Sequence, residues 1–261
     1  MIPEIIISML GCARIGAIHT VVFSGFSSSS LKDRIEDSKS KIVITADGGF
    51  RKGKIIKLKD IVDDAVSEAN SVEHVIVFER IKNGITLNEK DHLWSELMEN
   101  ASDDCDAEQL ESTHPLYILY TSGTTGKPKG CILSNQYELL CGEVYLNIKG
   151  PITLRENKDR IFNPLPSFHI NAGVVTFFGA MLSGNCIIQP ERFHASSWWD
   201  EIYETKATIF HYLGMVISVL LSKKDIDKSI FPIFYHLPIE DRIEAVFERG
   251  LISEDDYNML K

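Results

Sequence analysis

Residues 115–130 read PLYILYTSGTTGKPKG. The opening PLYILYT is an apolar, aromatic-rich run of strand length. The chemistry then changes. Gly123, Gly126 and Gly130 are interleaved with the hydroxyls of Thr121, Ser122, Thr124 and Thr125 and with the cations Lys127 and Lys129. Glycine lacks the Cβ that would hold a ligand's oxygens away from backbone amides. The hydroxyls donate further hydrogen bonds, and the lysines bring positive charge. A strand running into such a loop, with a helix expected behind it, is an arrangement that cradles phosphate. It is not a Walker A loop, because Pro128 follows Gly126-Lys127 and Thr121 takes the place of the first glycine. A functionless Ser/Thr/Gly turn is the plain alternative; the length of the motif and its place behind a strand argue against it.

Outward from this loop, apolar runs alternate between strand and helix periods. IPEIIISMLGCARIGA reads as a helix with Pro3 in its first turn, and HTVVF as a strand. In SLKDRIEDSKS, Leu31 and Ile35 share a helical face, with Ser29 or Ser30 expected to cap it. KIVIT, HVIVF, RIFNPLP, CIIQP and ATIFHYL read as strands. LKDIVDDAVSEA, LWSELMEN, AGVVTFFGAMLSG, SSWWDEIYET and GMVISVLLSKK read as helices. Strand–helix–strand alternation implies an α/β fold of parallel-rich sheets flanked by helices. From about Ile230 the pattern becomes two short acidic amphipathic helices hinged at Gly250, with Ser253 placed to cap the second.

Composition narrows the function classes. The 261 residues are 44% hydrophobic and carry a formal charge of -10, which excludes wholesale disorder and disfavours nucleic acid as a partner. The apolar N-terminus is interrupted by Glu4 and Arg14 and lacks a basic leader, so neither a membrane span nor a signal peptide is expected. Cys12, Cys105, Cys131, Cys141 and Cys186 show no zinc spacing. They read as buried reduced thiols, which suits a cytoplasmic protein.

The loop YTSGTTGKPKG resembles the phosphate loop of the adenylate-forming enzymes, which include acyl-CoA synthetases, luciferases and peptide-synthetase adenylation domains. The resemblance implies the family's large N-terminal domain, present here in part over residues 1–230, with 231–261 a helical tail. It implies ATP, CoA and Mg²⁺ as cofactors and a short- or medium-chain carboxylate as substrate. The carboxylate would attack the α-phosphorus, pyrophosphate would leave, and the acyl group would pass from the adenylate to CoA. Positioning and charge neutralisation carry such chemistry, more than a protein nucleophile does. Carried over, Thr121, Ser122, Gly123, Thr124, Thr125, Gly126, Lys127, Lys129 and Gly130 would meet the phosphates, with Lys129 in the catalytic set.

Residues 2–130 are similar to the acetyl-CoA synthetase branch, in which the segment after ADGG grips the CoA phosphates. That role passes to Arg51, Lys52, Gly53 and Lys54. Lys54 stands where the branch has a second arginine, and a point charge lacks the two-toothed geometry of guanidinium. A solvated basic turn is the competing reading of RKGK. Residues 160–222 resemble instead the carnitine/crotonobetaine-type CoA ligases. In these the histidine of the P-x-F-H element lies at the acyl and phosphate site, a role that passes to His169. Trp198 and Trp199 read as packing residues, and His194 and His211 as structural.

The family's Y-G-x-T-E and T-G-D elements, which serve Mg²⁺, adenine and ribose, do not occur in the sequence. Nor is a Mg²⁺ ligand identifiable. The start inside a helix suggests a domain that begins before Met1. The expectation is therefore a partial ligase, with a non-catalytic CoA- or nucleotide-binding fragment or an inactive truncated product as the alternative. The tail FYHLPIEDRIEAVFERGLISEDDYNML faintly resembles the N-terminal helical arm of bacterial-type hydroxymethylglutaryl-CoA reductases, without any active-site motif.

Overall fold

The computed structural model describes residues 1–51, 53–82, 84–121, 129–149 and 153–221. The helical tail expected over 231–261 lies outside them. The chain divides into two units, the first of Met1–Asn157 and Leu165–Asn185, the second of Lys158–Pro164 and the chain from Cys186 onward.

The first unit opens with α1, Pro3–Arg14, where Pro3 at the first helical position costs no hydrogen bond. HTVVF does not form a strand. His19 alone bridges Tyr117 in parallel, its amide donating to the Leu116 carbonyl at 2.9 Å. The next helix, α2, covers Ser28–Ser38 and is capped by Ser27, two or three residues earlier than expected, whose hydroxyl accepts from the Ser30 amide at 3.3 Å. Then come β1 (Ile42–Ala46), β2 (Gly49–Arg51), β3 (Lys54–Ile56), α3 (Leu58–Ser67), β4 (His74–Phe78), β5 (Asp91–Leu93) and α4 (Trp94–Asn100). β1, β4 and β5 form a parallel sheet in the order β1-β4-β5. Its core face packs Val75 and Val77 against Ile35 of α2 and Val62 and Ala65 of α3. The expected pairing of Leu31 with Ile35 on one helical face is what places α2 there.

β6 (Pro115–Thr121) and β7 (Lys129–Ser134) form an antiparallel pair, and α5 (Asn135–Asn147) follows, capped by Ser134. After β8, Arg160–Phe162, a π-helical turn at Asn171–Thr176 leads into α6, Phe177–Leu182. The α5–α6 contact is a reciprocal glycine fit. A Cβ on Gly142 would stand 2.8 Å from Phe178 Cβ, and one on Gly179 would stand 2.5 Å from Tyr145 Cδ1.

The second unit holds β8, β9 (Cys186–Ile188), α7 (Trp198–Glu204), β10 (Ile209–Phe210) and α8 (Gly214–Leu221). Its sheet is parallel, in the order β10-β8-β9. Trp198 is its core, meeting the rings of Phe162, Phe193 and Phe210 at 5.2, 5.4 and 5.5 Å between centroids. The packing role expected of the tryptophan pair is thus the one Trp198 fills.

The cysteines depart from expectation. All are free thiols, but Cys105, Cys131 and Cys186 are exposed and Cys12 and Cys141 only half-buried. Cys131 and Cys186 lie on the strands β7 and β9, and Cys105 in the irregular segment between α4 and β6. Among the described residues no helix is long and apolar enough to cross a membrane.

Candidate active site

The glycine- and hydroxyl-rich loop hangs from the β6–β7 hairpin. Thr121 pairs with Lys129 and Tyr120 with Gly130 at its mouth. Ser122, Gly123, Thr124, Thr125, Gly126 and Lys127 lie outside the described residues. A strand, not the expected helix, follows the loop directly, and α5 begins only at Asn135. The backbone amides of a helix N-terminus therefore do not flank Lys129. The ladder instead holds both ends of the loop side by side, with Thr121 and Lys129 exposed. Gly130 fits because a Cβ there would meet Ile118 Cγ2 at 2.7 Å.

Tyr120 anchors this mouth to α2. Its hydroxyl donates to Asp37 Oδ2 at 2.6 Å, and the Arg34 guanidinium lies 5.4 Å from its ring centre. Burial, helped by the Asp37 carboxylate, pushes the phenol well above its ordinary range. Arg34 is itself buried, lies 4.3 Å from the Phe26 ring centre and donates to the Ser30 carbonyl at 2.6 Å. Aromatic faces thus take much of the place of water around that cation.

Under the same strand lies a buried polar group. Tyr117 and Glu138 are each 1% exposed, and among the described residues Glu138 Oε1 has no hydrogen-bond partner. His19 stacks on Tyr117 with ring centres 5.0 Å apart. Burial raises the Glu138 carboxyl to about 7 and lowers His19 to about 4, the direction expected when charge loses solvent.

The second candidate element is the β2–β3 hairpin. Its register sets Arg51 directly opposite Lys54. Gly53 at the turn has φ +74, a left-handed conformation that glycine adopts without strain. Lys52 lies outside the described residues. Two like charges facing each other across a ladder repel unless an anion lies between them. Arg51 is also fixed from one side, since its guanidinium lies 5.1 Å from the Phe23 ring centre and donates to the Gly25 carbonyl at 3.4 Å. The root of the hairpin is held by Asp47. This buried carboxylate accepts from the amides of Gly48, Arg80, Ile81 and Lys82 at 2.7 to 3.0 Å.

His169 ends the turn before the π-helix, its carbonyl accepting from the Gly173 amide at 2.9 Å. The side chain is exposed and packs on Phe168, with ring centres 4.5 Å apart. Phe168 in turn meets Phe23 at 5.1 Å. The ring of Phe23 therefore stands between Arg51 and the Phe168–His169 pair, joining two candidate elements that lie far apart in sequence. Phe23, Arg34 and Asp47 lie outside the motifs legible in the sequence; the aromatic pair in FSGF hints at Phe23 but reads equally well as core.

The sequence profile of one family, described as AMP-binding enzyme, matches residues 1–236. The chain belongs to the AMP-binding enzyme family. Among relatives, the acetyl-coenzyme A synthetase of Chlorobaculum tepidum is 36% identical over 216 residues, covering 81% of this chain and 32% of that protein. The acetyl-coenzyme A synthetase of Streptomyces coelicolor is 52% identical over 133 residues, 51% of this chain and 20% of that protein. The fold is similar to that of acetoacetyl-CoA synthetase from Streptomyces lividans, with a TM-score of 0.72 at 24% identity over 83% of this chain and 33% of that one. The chain thus spans about a third or less of the length of these relatives.

Proposed function

We propose that residues 1–230 carry part of the ATP- and CoA-using domain of an AMP-forming acid–CoA ligase acting in the cytoplasm on a short- or medium-chain carboxylate, with 231–261 a separate tail. The observation that carries this reading is the hairpin that sets Thr121 beside Lys129 at the mouth of a glycine- and hydroxyl-rich loop in a member of the AMP-binding family. In this reading the Lys129 ammonium neutralises charge on the ATP phosphates, and loop amides and hydroxyls orient them for attack by the carboxylate oxygen. Arg51 and Lys54 hold phosphates of CoA between them, which relieves the repulsion built into their register. His169, at the end of its turn, faces the acyl-phosphate region as a hydrogen-bonding residue. Among the described residues no group of three or more His, Cys, Asp or Glu is placed to hold a metal. Mg²⁺ would supply charge neutralisation on the triphosphate.

The test is nucleotide binding by the 261-residue chain and its Lys129→Ala variant, together with pyrophosphate release on adding acetate, butyrate or octanoate. Nucleotide affinity at least tenfold weaker in the variant is expected. Unchanged affinity removes the loop from the site. Binding without pyrophosphate release from any acid identifies a non-catalytic nucleotide-binding portion. For His169, loss of acid-dependent pyrophosphate release in His169→Ala with nucleotide affinity retained is the expected result.

A further inference from the structure

Away from the loop and the CoA hairpin, two histidines meet on the face of the β1-β4-β5 sheet that turns away from α2 and α3. Val75 and Val77 enter the helix-covered core, so their alternates His74 and Ile76 face the other way. His92 of β5 is in register with Ile76 and shares its face. His74 Nδ1 and His92 Nε2 lie 3.0 Å apart, with ring centres separated by 5.0 Å and planes inclined at 56°.

We propose that His74 and His92 form a two-histidine chelate for a late first-row divalent cation, with Cu²⁺ and Ni²⁺ the best fits. An ion about 2.1 Å from each nitrogen, with an angle near 90° between them, sets the nitrogens about 3.0 Å apart; a tetrahedral angle opens this to about 3.4 Å. Imidazole rings radiating from such an ion have centres roughly 4.6 to 5.3 Å apart. Both separations, 3.0 Å between the nitrogens and 5.0 Å between the ring centres, fall in the range that one ion would set. Imidazole nitrogen suits this class of metal, whereas Mg²⁺ and Ca²⁺ select oxygen. The site is therefore distinct in chemistry from any Mg²⁺ carried in on ATP.

Chelation needs a lone pair on both facing nitrogens. In the metal-free pair one of them is a donor to the other. Binding shifts that ring to its other neutral tautomer, through solvent, with no net proton released. His74 is exposed, so water reaches the ion and fills its remaining positions. The two ligands come from adjacent strands, and the unfolded chain does not hold them together. Metal therefore binds the folded form preferentially and raises its melting temperature.

The test uses the untagged chain with its thiols blocked by iodoacetamide, since Cys105, Cys131 and Cys186 are exposed. Calorimetric titration with NiCl₂ and CuCl₂ is compared among wild type, His74→Gln and His92→Gln. One saturable site in wild type is expected, at least tenfold weaker in each variant, with a metal-dependent rise in melting temperature in wild type alone and no response to MgCl₂. Absence of saturable uptake in wild type, or either variant binding like wild type, overturns the proposal. Should a variant fail to fold, protection of His74 and His92 by Ni²⁺ from diethyl pyrocarbonate, read by mass spectrometry on wild type, replaces it. Equal modification with and without metal gives the negative answer.

Discussion

The carboxylate of Asp47 and the amide of Lys82 are 2.7 Å apart, although 35 positions separate them in the chain. Together with the amides of Gly48, Arg80 and Ile81, this contact ties the base of the β2–β3 hairpin to the turn after β4. Asp47→Ala leaves these amides without their acceptor in a largely buried spot. A loss of about 3 kcal/mol is expected, since a buried unpaired donor costs roughly 1–3 kcal/mol and water entering the gap recovers part of the sum. Urea denaturation measures it, and a variant as stable as wild type contradicts the cage.

Arg51 and Lys54 face each other across that hairpin. If they share a phosphate, Arg51→Ala and Lys54→Ala each weaken CoA binding about tenfold, or about 1.4 kcal/mol. Arg51→Lys keeps the charge but gives up the planar contact with Phe23, and falls between. Calorimetry with CoA reads this, and ATP affinity serves as the control that should not move.

Glu138 gives a pH signature. Burial raises its carboxyl from 4.5 to about 7. The folded chain therefore holds a proton that the unfolded chain releases, so stability falls as pH rises. The favourable contribution is complete below about 4.5 and is lost as pH climbs through about 7. Its size is on the order of 3 kcal/mol. Glu138→Gln should flatten the slope of unfolding free energy between pH 5 and about 8. A slope equal to that of wild type shows that Glu138 is not its source.

At the α5–α6 contact, the usual rule for helices reverses. Glycine to alanine inside a helix ordinarily gains up to about 1 kcal/mol. At Gly142 the new methyl would lie 2.8 Å from both the Phe178 backbone carbon and its Cβ. Gly142→Ala is expected to destabilise by about 1–2 kcal/mol, because overpacking against backbone outweighs propensity. A gain in melting temperature refutes the close fit.

Much of the first unit could be read in advance, since α1, α2, β1, α3, β4, α4 and β6 carry apolar residues at helical or strand period. β7 escaped because its apolar core, Cys131–Leu133, is short and follows a lysine, a proline and a glycine, so it read as loop and helix. The β2–β3 hairpin escaped because each strand is only three residues long and its apolar pair, Phe50 and Ile55, is hidden among Arg51, Lys52 and Lys54. His19–Phe23 has the composition of a strand, yet only His19 finds a ladder partner. For the site, side-chain chemistry was visible in the glycine- and hydroxyl-rich loop and in RKGK. Their fastening was not, because Asp37, Asp47 and Phe23 act across long separations that no local pattern encodes.

The route of the chain limits how this protein can be taken apart. It leaves the first unit after Asn157, returns at Leu165, and leaves again after Asn185. A single proteolytic nick or one stop codon cannot release either unit intact. The second unit needs β8 from one side of the detour and β9 from the other. Any gene rearrangement that respects both units must treat 165–185 as an insertion into the second, so these units cannot be exchanged as consecutive cassettes.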